Sequence, residues 1–395
     1  MAHGKKTHHP DTRLTTSGRN PEANFGIVNP PVYHASTVIF PTVEALHKAE
    51  EHKFSQTFYG RYGTPTTFAF QDAVADLEGA EFCIALPSGM AAIAVALIAN
   101  CKAGDHVLIT DGAYAPTLVF ARTILKKFGI DITVYHPMIG ADIKDLMQPN
   151  TRMVFTEAPS SITFEVSDIS AIAKVAHAAG ALLAMDNTWS AGYYFKPFDH
   201  GVDISIQAAT KYIVGHSDAM LGTVTMNDEK LWKKARITAG ALGHAAAPDD
   251  CYLGLRGLRT LAVRLPRHQS TGLKLAKWLA QRAEVDVVLH PALDSCPGHE
   301  IWKRDFTGAS GLFSVVLKEG FDQTAIARML DNMDLFAMGY SWGGYESLII
   351  PADPGSSRKA YDWPHKGQTL RIHAGLEDPD DLIKDLEAGL NRLTS

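Results

Sequence analysis

The chain has 395 residues, of which 46% are hydrophobic and 20% charged, the balance of an ordinary folded protein with room for two cores. Its formal charge of −6 is spread without a basic run, which argues against a nucleic-acid or polyanion partner. The longest apolar stretch, MAAIAVALIAN, is too short to span a bilayer, so no membrane is expected as a partner.

The N-terminal stretch MAHGKKTHHPDTR lacks the apolar centre of a secretory signal, and the chain reads as cytoplasmic. His8 and His9 have no carboxylate or cysteine cluster beside them and read as a solvated tail, not as metal ligands. Residues 1–60 keep no sustained period, and GIVNPPVYHASTVIFPT carries three prolines, so this part is an extended arm and not a domain. Residues 61–256 alternate short β-branched runs with helical patterns. HVLIT, ITVYH, RMVFTEA, LLAMDN and DISIQA are strands, and SDISAIAKVAHAAG is a helix capped by Asp168 and stopped at Gly180. Such alternation predicts a mainly parallel sheet covered on both faces, with ligands at the carboxyl ends of its strands. Residues from about 228 to 290 read as helical and polar. Residues 257–395 form a smaller α/β domain with strands GLFSVVLK, DLFAMGYS, ESLIIP and TLRIHAG and helix FDQTAIARMLDNM. A last helix, EDPDDLIKDLEAGLNRL, starts at a cap, Asp378, with Pro379 in its first turn. The 4 cysteines are scattered without metal or redox spacing, which fits a reducing compartment and no metal site.

Four features fall at strand ends of the larger domain. Ser88, Gly89 and Met90 stand at the mouth of a strong helix, where free N–H groups and the dipole suit a phosphate, although a plain N-cap looks the same. Asp186 closes a wholly apolar strand; it is either a turn cap or an acid able to keep a pyridine nitrogen protonated. Tyr114, just past HVLIT, either stacks on a flat ring or sits in the core. Lys211, among small residues in ISIQAATKYIVGHSDAMLG, either snorkels into water or is desolvated, which lowers its pKa and frees the amine for a Schiff base. An anion cradle, an acid, an aromatic plate and a desolvated amine are together the parts of a pyridoxal phosphate site. No strand is followed by the Gly-x-Gly-x-x-Gly turn of a nicotinamide-dependent dehydrogenase.

GIVNPPVYHAST, YGRYGTPTTFAFQDAVADLEGAE, PSGMAAI, DNTWSAG, SIQAATKYIVGHSDAMLG, SWGGYESL and RIHAGLEDPDDLIKDLEAGL run nearly end to end. In that order they resemble the Cys/Met-metabolism family of pyridoxal-phosphate enzymes. The resemblance implies the aspartate-aminotransferase-like α/β fold (fold type I), with a large cofactor domain and a smaller C-terminal one. It implies Lys211 as the Schiff-base lysine and proton carrier, Asp186 at the ring nitrogen, and Tyr114 stacked on the ring. It further implies Ser88, Gly89, Met90 and Thr210 at the phosphate, with Tyr59 and Arg61 reaching that phosphate from a neighbouring subunit. Arg371 is then expected on the substrate carboxylate, with Ser341 and Trp342 lining the same pocket. The active unit would be a dimer, and the assembly a homotetramer.

Three positions differ from the γ-acting members of that family. No Asn follows the strand in TEAPSSITFEV, Trp342 replaces a common Leu, and Ala208 replaces a common hydroxyl residue. All three resemble the bacterial β-lyase branch. The expected activity is therefore β-elimination from a small sulfur amino acid, with cystathionine giving homocysteine, pyruvate and ammonia. A γ-lyase or γ-synthase is the nearest rival. A non-catalytic cofactor binder is disfavoured because Lys211 and Arg371 are both present.

Overall fold

A computed structural model describes residues 8–393, so the leader-free reading of the N-terminus falls mostly outside the described residues. Seven strands form the larger sheet: β1 Phe82–Leu86, β2 His106–Thr110, β3 Asp131–Tyr135, β4 Thr151–Glu157, β5 Leu182–Asp186, β6 Ile204–Gln207 and β7 Gly222–Met226. Their order is β1-β7-β6-β5-β4-β2-β3. Only β7 runs against the rest. The five strands expected for this part are all present. Strands β1 and β7 were not expected; β1 is the short apolar run FCIAL and β7 is GTVTM, with a glycine and two threonines.

Alternate residues of these strands feed different cores. Val107, Ile109, Met153, Phe155 and Ala184 pack under helices Gly89–Asn100 and Glu229–Ala241. Leu108, Val154, Leu183 and Met185 pack on the other face, with helix Ile169–Ala178. Both faces are thus buried, and the strands read as continuous apolar runs for that reason. The helix caps follow the sequence. Asp168 accepts the N–H of Ala171, Gly180 lies beyond the helix end at φ 74°, and Asp378 accepts the N–H of Asp380.

Strands β8 Val285–Leu289, β9 Leu312–Leu317, β10 Leu348–Ala352 and β11 Thr369–His373 make a second, antiparallel sheet in the order β10-β11-β9-β8. Helices Leu261–Leu279, Gln323–Leu330 and Pro379–Asn391 cover it. Two expectations are corrected here. Strand β8 lies inside the stretch read as helical. Conversely, DLFAMGYS forms no strand and keeps one isolated bridge, Ala337 to Leu348. The reason is tertiary: the Asp385 carboxylate takes the N–H groups of Asp334, Leu335 and Phe336, so the ladder loses its donors. The expected arm is also less plain than its sequence, since it contains helices Pro10–Thr16 and Val43–Glu51. The boundary expected at 256/257 falls within helix Pro248–Leu258. Among the described residues no helix is long and apolar enough to cross a membrane.

Candidate active site

Strands β2, β4, β5 and β6 end on one edge of the larger sheet, and the register sets Glu157 of β4 beside Asp186 of β5. Asp186 is buried, and its Oδ1 accepts both the N–H (3.0 Å) and the hydroxyl (2.6 Å) of Thr188. None of the described residues donates to Oδ2. Burial raises the Asp186 pKa, and the Thr188 bonds and the Lys211 ammonium oppose that rise. Below it, the buried Glu78 carboxylate accepts from Asn187, Ser205, Gln207 and Thr225, side chains that come from the ends of β5, β6 and β7.

Lys211 follows β6 in a turn that is held shut by its neighbour. Thr210 donates its hydroxyl to the Leu221 carbonyl (3.0 Å) and accepts the Leu221 N–H (2.8 Å). Nζ of Lys211 donates to Ser341 Oγ at 2.6 Å and lies 5.3 Å from the Trp342 ring centre. Burial first, then the Arg371 charge, lowers the Lys211 pKa to about 8, although Asp186 pulls the other way. The lysine does not snorkel away; it points at the pocket that the second sheet closes.

That closure rests on strained backbone. Ser341 sits at φ 78°, a left-handed conformation that costs a side-chain-bearing residue roughly 1–2 kcal/mol. Gly343 is at φ 89°, and a Cβ there would come within 2.9 Å of the Lys211 carbonyl carbon. Its N–H lies 3.1 Å from Nε2 of the buried His373. Arg371, on β11, donates to the Gly339 and Ser341 carbonyls (3.2 and 3.0 Å), so the guanidinium and the turn over Lys211 share one network. Trp342 is half-buried and also packs edge-on against Tyr212, so it is at once a wall of the pocket and part of the core.

Tyr114 begins the helix after β2 and is 47% exposed, which rules out a core role. Its N–H donates to Glu157 Oε2 at 2.7 Å. Burial of the phenol, then Glu157 and Asp186, raises its pKa, so it keeps its proton. Sequence reasoning missed Glu157, although it ends its strand just as Asp186 does. Burial and Asp186 push its pKa well up.

Ser88 caps helix Gly89–Asn100 by accepting the Ala91 N–H at 3.1 Å. No hydrogen bond among the described residues uses the N–H of Gly89 or Met90. A Cβ on Gly89 would lie 2.6 Å from that of Ala208, so only glycine lets this helix mouth close on the lysine turn. Free N–H groups at one end, the open Asp186 oxygen at the other and a lysine between them fit pyridoxal phosphate. Tyr59 and Arg61 are not brought to this site within the chain. Arg61 instead donates to the Gly240 carbonyl at 2.6 Å and lies over the Tyr62 ring.

The model of the Cys/Met metabolism PLP-dependent enzymes matches residues 11–391. The chain is 47% identical to cystathionine beta-lyase MetC of Escherichia coli (strain K12), covering 97% of this chain and 98% of that protein. It is 45% identical to the cystathionine beta-lyase of Haemophilus influenzae, with coverage of 97% and 98%. A crystal structure of cystathionine gamma synthase from Xanthomonas oryzae pv. oryzae, in complex with aminoacrylate and cysteine, is 30% identical. It superposes with a TM-score of 0.89 over 98% of this chain and 99% of that one. With residues that fit the cofactor and a match over nearly its whole length, the chain belongs to the Cys/Met metabolism PLP-dependent enzyme family.

Proposed function

We propose that the chain is a carbon–sulfur β-lyase that cleaves L-cystathionine to homocysteine, pyruvate and ammonia. The observation that carries this reading is Lys211 Nζ, held between Ser341 and Trp342 with Asp186 and Arg371 around it. Pyridoxal phosphate, when bound, supplies a protonated ring that takes up negative charge developing at the substrate Cα. Gly89, Met90, Ser88 and Thr210 would hold its phosphate, Tyr114 would flank its ring, and Asp186 would keep the ring nitrogen protonated. Arg371 grips the α-carboxylate of the substrate through its planar fork, as guanidinium suits. Lys211, neutral when displaced from the cofactor, takes the proton from Cα. Lys211 Nζ or the Tyr114 hydroxyl then gives a proton to the departing sulfur.

Trp342 beside the lysine, and a TEAPSSITFEV stretch without the Asn that γ-acting members carry after this strand, favour elimination at Cβ. The names of the β-lyase relatives support the same choice. Incubating the holoenzyme with L-cystathionine and identifying the keto acid by mass spectrometry tests it. Pyruvate with homocysteine is the expected outcome, and oxobutyrate with cysteine would move the chain to the γ-lyase rival.

Arg371→Lys keeps the charge but loses the fork. A charge-assisted hydrogen bond is worth about 1.5–3 kcal/mol, so kcat/KM should fall roughly 10- to 150-fold, mostly through KM. Steady-state kinetics with cystathionine measure it, and an unchanged KM would free Arg371 from this role.

The working form is a homo-oligomer in the cytoplasm, with an active dimer and a tetramer as its assembly. The exposed Phe25 (98%), Ile39 (89%) and Val43 (69%) of the arm support burial against a second copy. Tyr59 and Arg61 would serve that copy's phosphate. The free cysteines, three of them buried, support a reducing compartment. The division into an arm (1–60), a cofactor domain (61–256) and a small domain (257–395) is supported by the two sheets and their separate cores.

A further inference from the structure

Between β10 and β11 the chain leaves the smaller sheet and lays a strap, residues 353–368, across the larger one. Arg358 is buried within it, at 6% exposure. Its guanidinium donates to the carbonyl of Asp111, to the carbonyl of Ser161 (3.0 Å) and to the Thr163 hydroxyl, and lies 3.9 Å from Glu165. The Asp111 carboxylate answers by accepting the N–H groups of Lys359 (2.7 Å) and Ala360 (2.8 Å). Tyr361 donates its hydroxyl to Glu165. Ser161 in turn donates its N–H to the Gly112 carbonyl at 2.7 Å. One strap therefore stitches together the loops that follow β2 and β4. Asp111 and Gly112 lie three and two residues before Tyr114, and Glu157, which holds the Tyr114 N–H, opens the second loop.

A surface anchor would not need this. A buried guanidinium sharing its donors among backbone carbonyls of two loops fixes their mutual position, because every shift of either loop breaks a charged hydrogen bond. The strap leads directly to β11, which carries Arg371. The same segment thus connects the strand that bears Arg371 with the loop that bears Tyr114.

We propose that Arg358 is a positioning residue for the reaction: it pins the strap onto the loop after β2 and thereby fixes Tyr114 at the wall of the cofactor site. The proposal rests on the reading of Tyr114 as that wall. The test compares holoenzymes of the parent, Arg358→Gln, Tyr114→Ala and the double variant. Each is measured for kcat and KM with cystathionine, for circular dichroism of the bound cofactor and for thermal unfolding.

R358Q is expected to lose about tenfold to a hundredfold in kcat, the scale of a misplaced reactive group, with KM within about threefold of the parent. Its cofactor dichroism should shift toward that of Y114A, and the double variant should be no slower than Y114A alone. Losses that multiply in the double variant, or an R358Q enzyme with parental kcat and dichroism beside an altered Y114A, overturn this proposal alone. A Y114A enzyme identical to the parent overturns both it and the reading of Tyr114. If R358Q yields no folded holoenzyme, Arg358→Lys answers the same question. Its single ammonium cannot hold two carbonyls in the fork geometry, so the same kcat loss is expected, and parental kcat and dichroism overturn the proposal.

Discussion

Lys211→Ala should lower pyruvate formation from cystathionine by on the order of 10⁴-fold or more, because it removes both the covalent anchor and the proton carrier of the site. The fold should survive. The residue is half-buried, its amine makes one side-chain hydrogen bond, to Ser341, and its backbone bonds are unaffected by truncation. The variant should also lack the visible absorbance of covalently held cofactor while keeping its thermal transition. Activity within tenfold of the parent would remove Lys211 from the mechanism. The same amine predicts a pH dependence. Its folded pKa is lowered to about 8, so the neutral, nucleophilic form gains as pH rises through that value. The rate at which cofactor-free protein takes up pyridoxal phosphate should climb between about pH 7 and 9 and then level off. A rate that falls over this range would contradict the assignment.

Asp186→Asn is expected to reduce kcat with little effect on KM for the substrate. The carboxylate sits in a buried pocket with one oxygen committed to Thr188, and the other is left for a positively charged ring nitrogen. An amide keeps the Thr188 bonds but gives no charge to hold a proton there. Breaking a buried charge pair costs about 3–5 kcal/mol, which corresponds to roughly 200- to 5,000-fold in rate. Steady-state kinetics and the pH titration of the cofactor spectrum read the effect. A variant that binds cofactor weakly but turns over normally once saturated would show that Asp186 anchors the ring without tuning it.

Much of this site is legible in the linear chain because polar residues that end apolar strands stand out. Asp186 is of that kind, Lys211 follows such a strand by four residues, and the helix start at Ser88 offers an anion cradle that a plain N-cap would also explain. The second sheet's contribution is less visible. Arg371 sits mid-strand, where nothing local marks it, and only its resemblance to a motif gave it a role. Ser341 ends, and Trp342 follows, a segment whose β-like composition predicts a strand, yet Asp385 captures its N–H groups from a helix about 50 residues away. Glu157 and Arg358 act through register and through long-range docking, and neither is a sequence signal. Arg61 is tied to the Gly240 carbonyl of its own chain and lies over the Tyr59 ring, so no reading of a single copy places the two at the cofactor.

Asp186 and Lys211 stand at the end of the larger sheet and just beyond it, and Arg371, the proposed carboxylate grip, stands on the smaller one. A molecule bound by Arg371 at one end and by the Lys211 edge at the other becomes a cross-link between two separately built cores. Occupancy is then linked to cohesion. At a concentration one hundred times its Kd, such a ligand adds about 2.7 kcal/mol against unfolding, and part of that resists separation of the sheets. A compound that engages only one sheet gains nothing from the second, however tightly it binds. The enzyme would therefore distinguish its substrates from fragments of them by rigidity as well as by affinity.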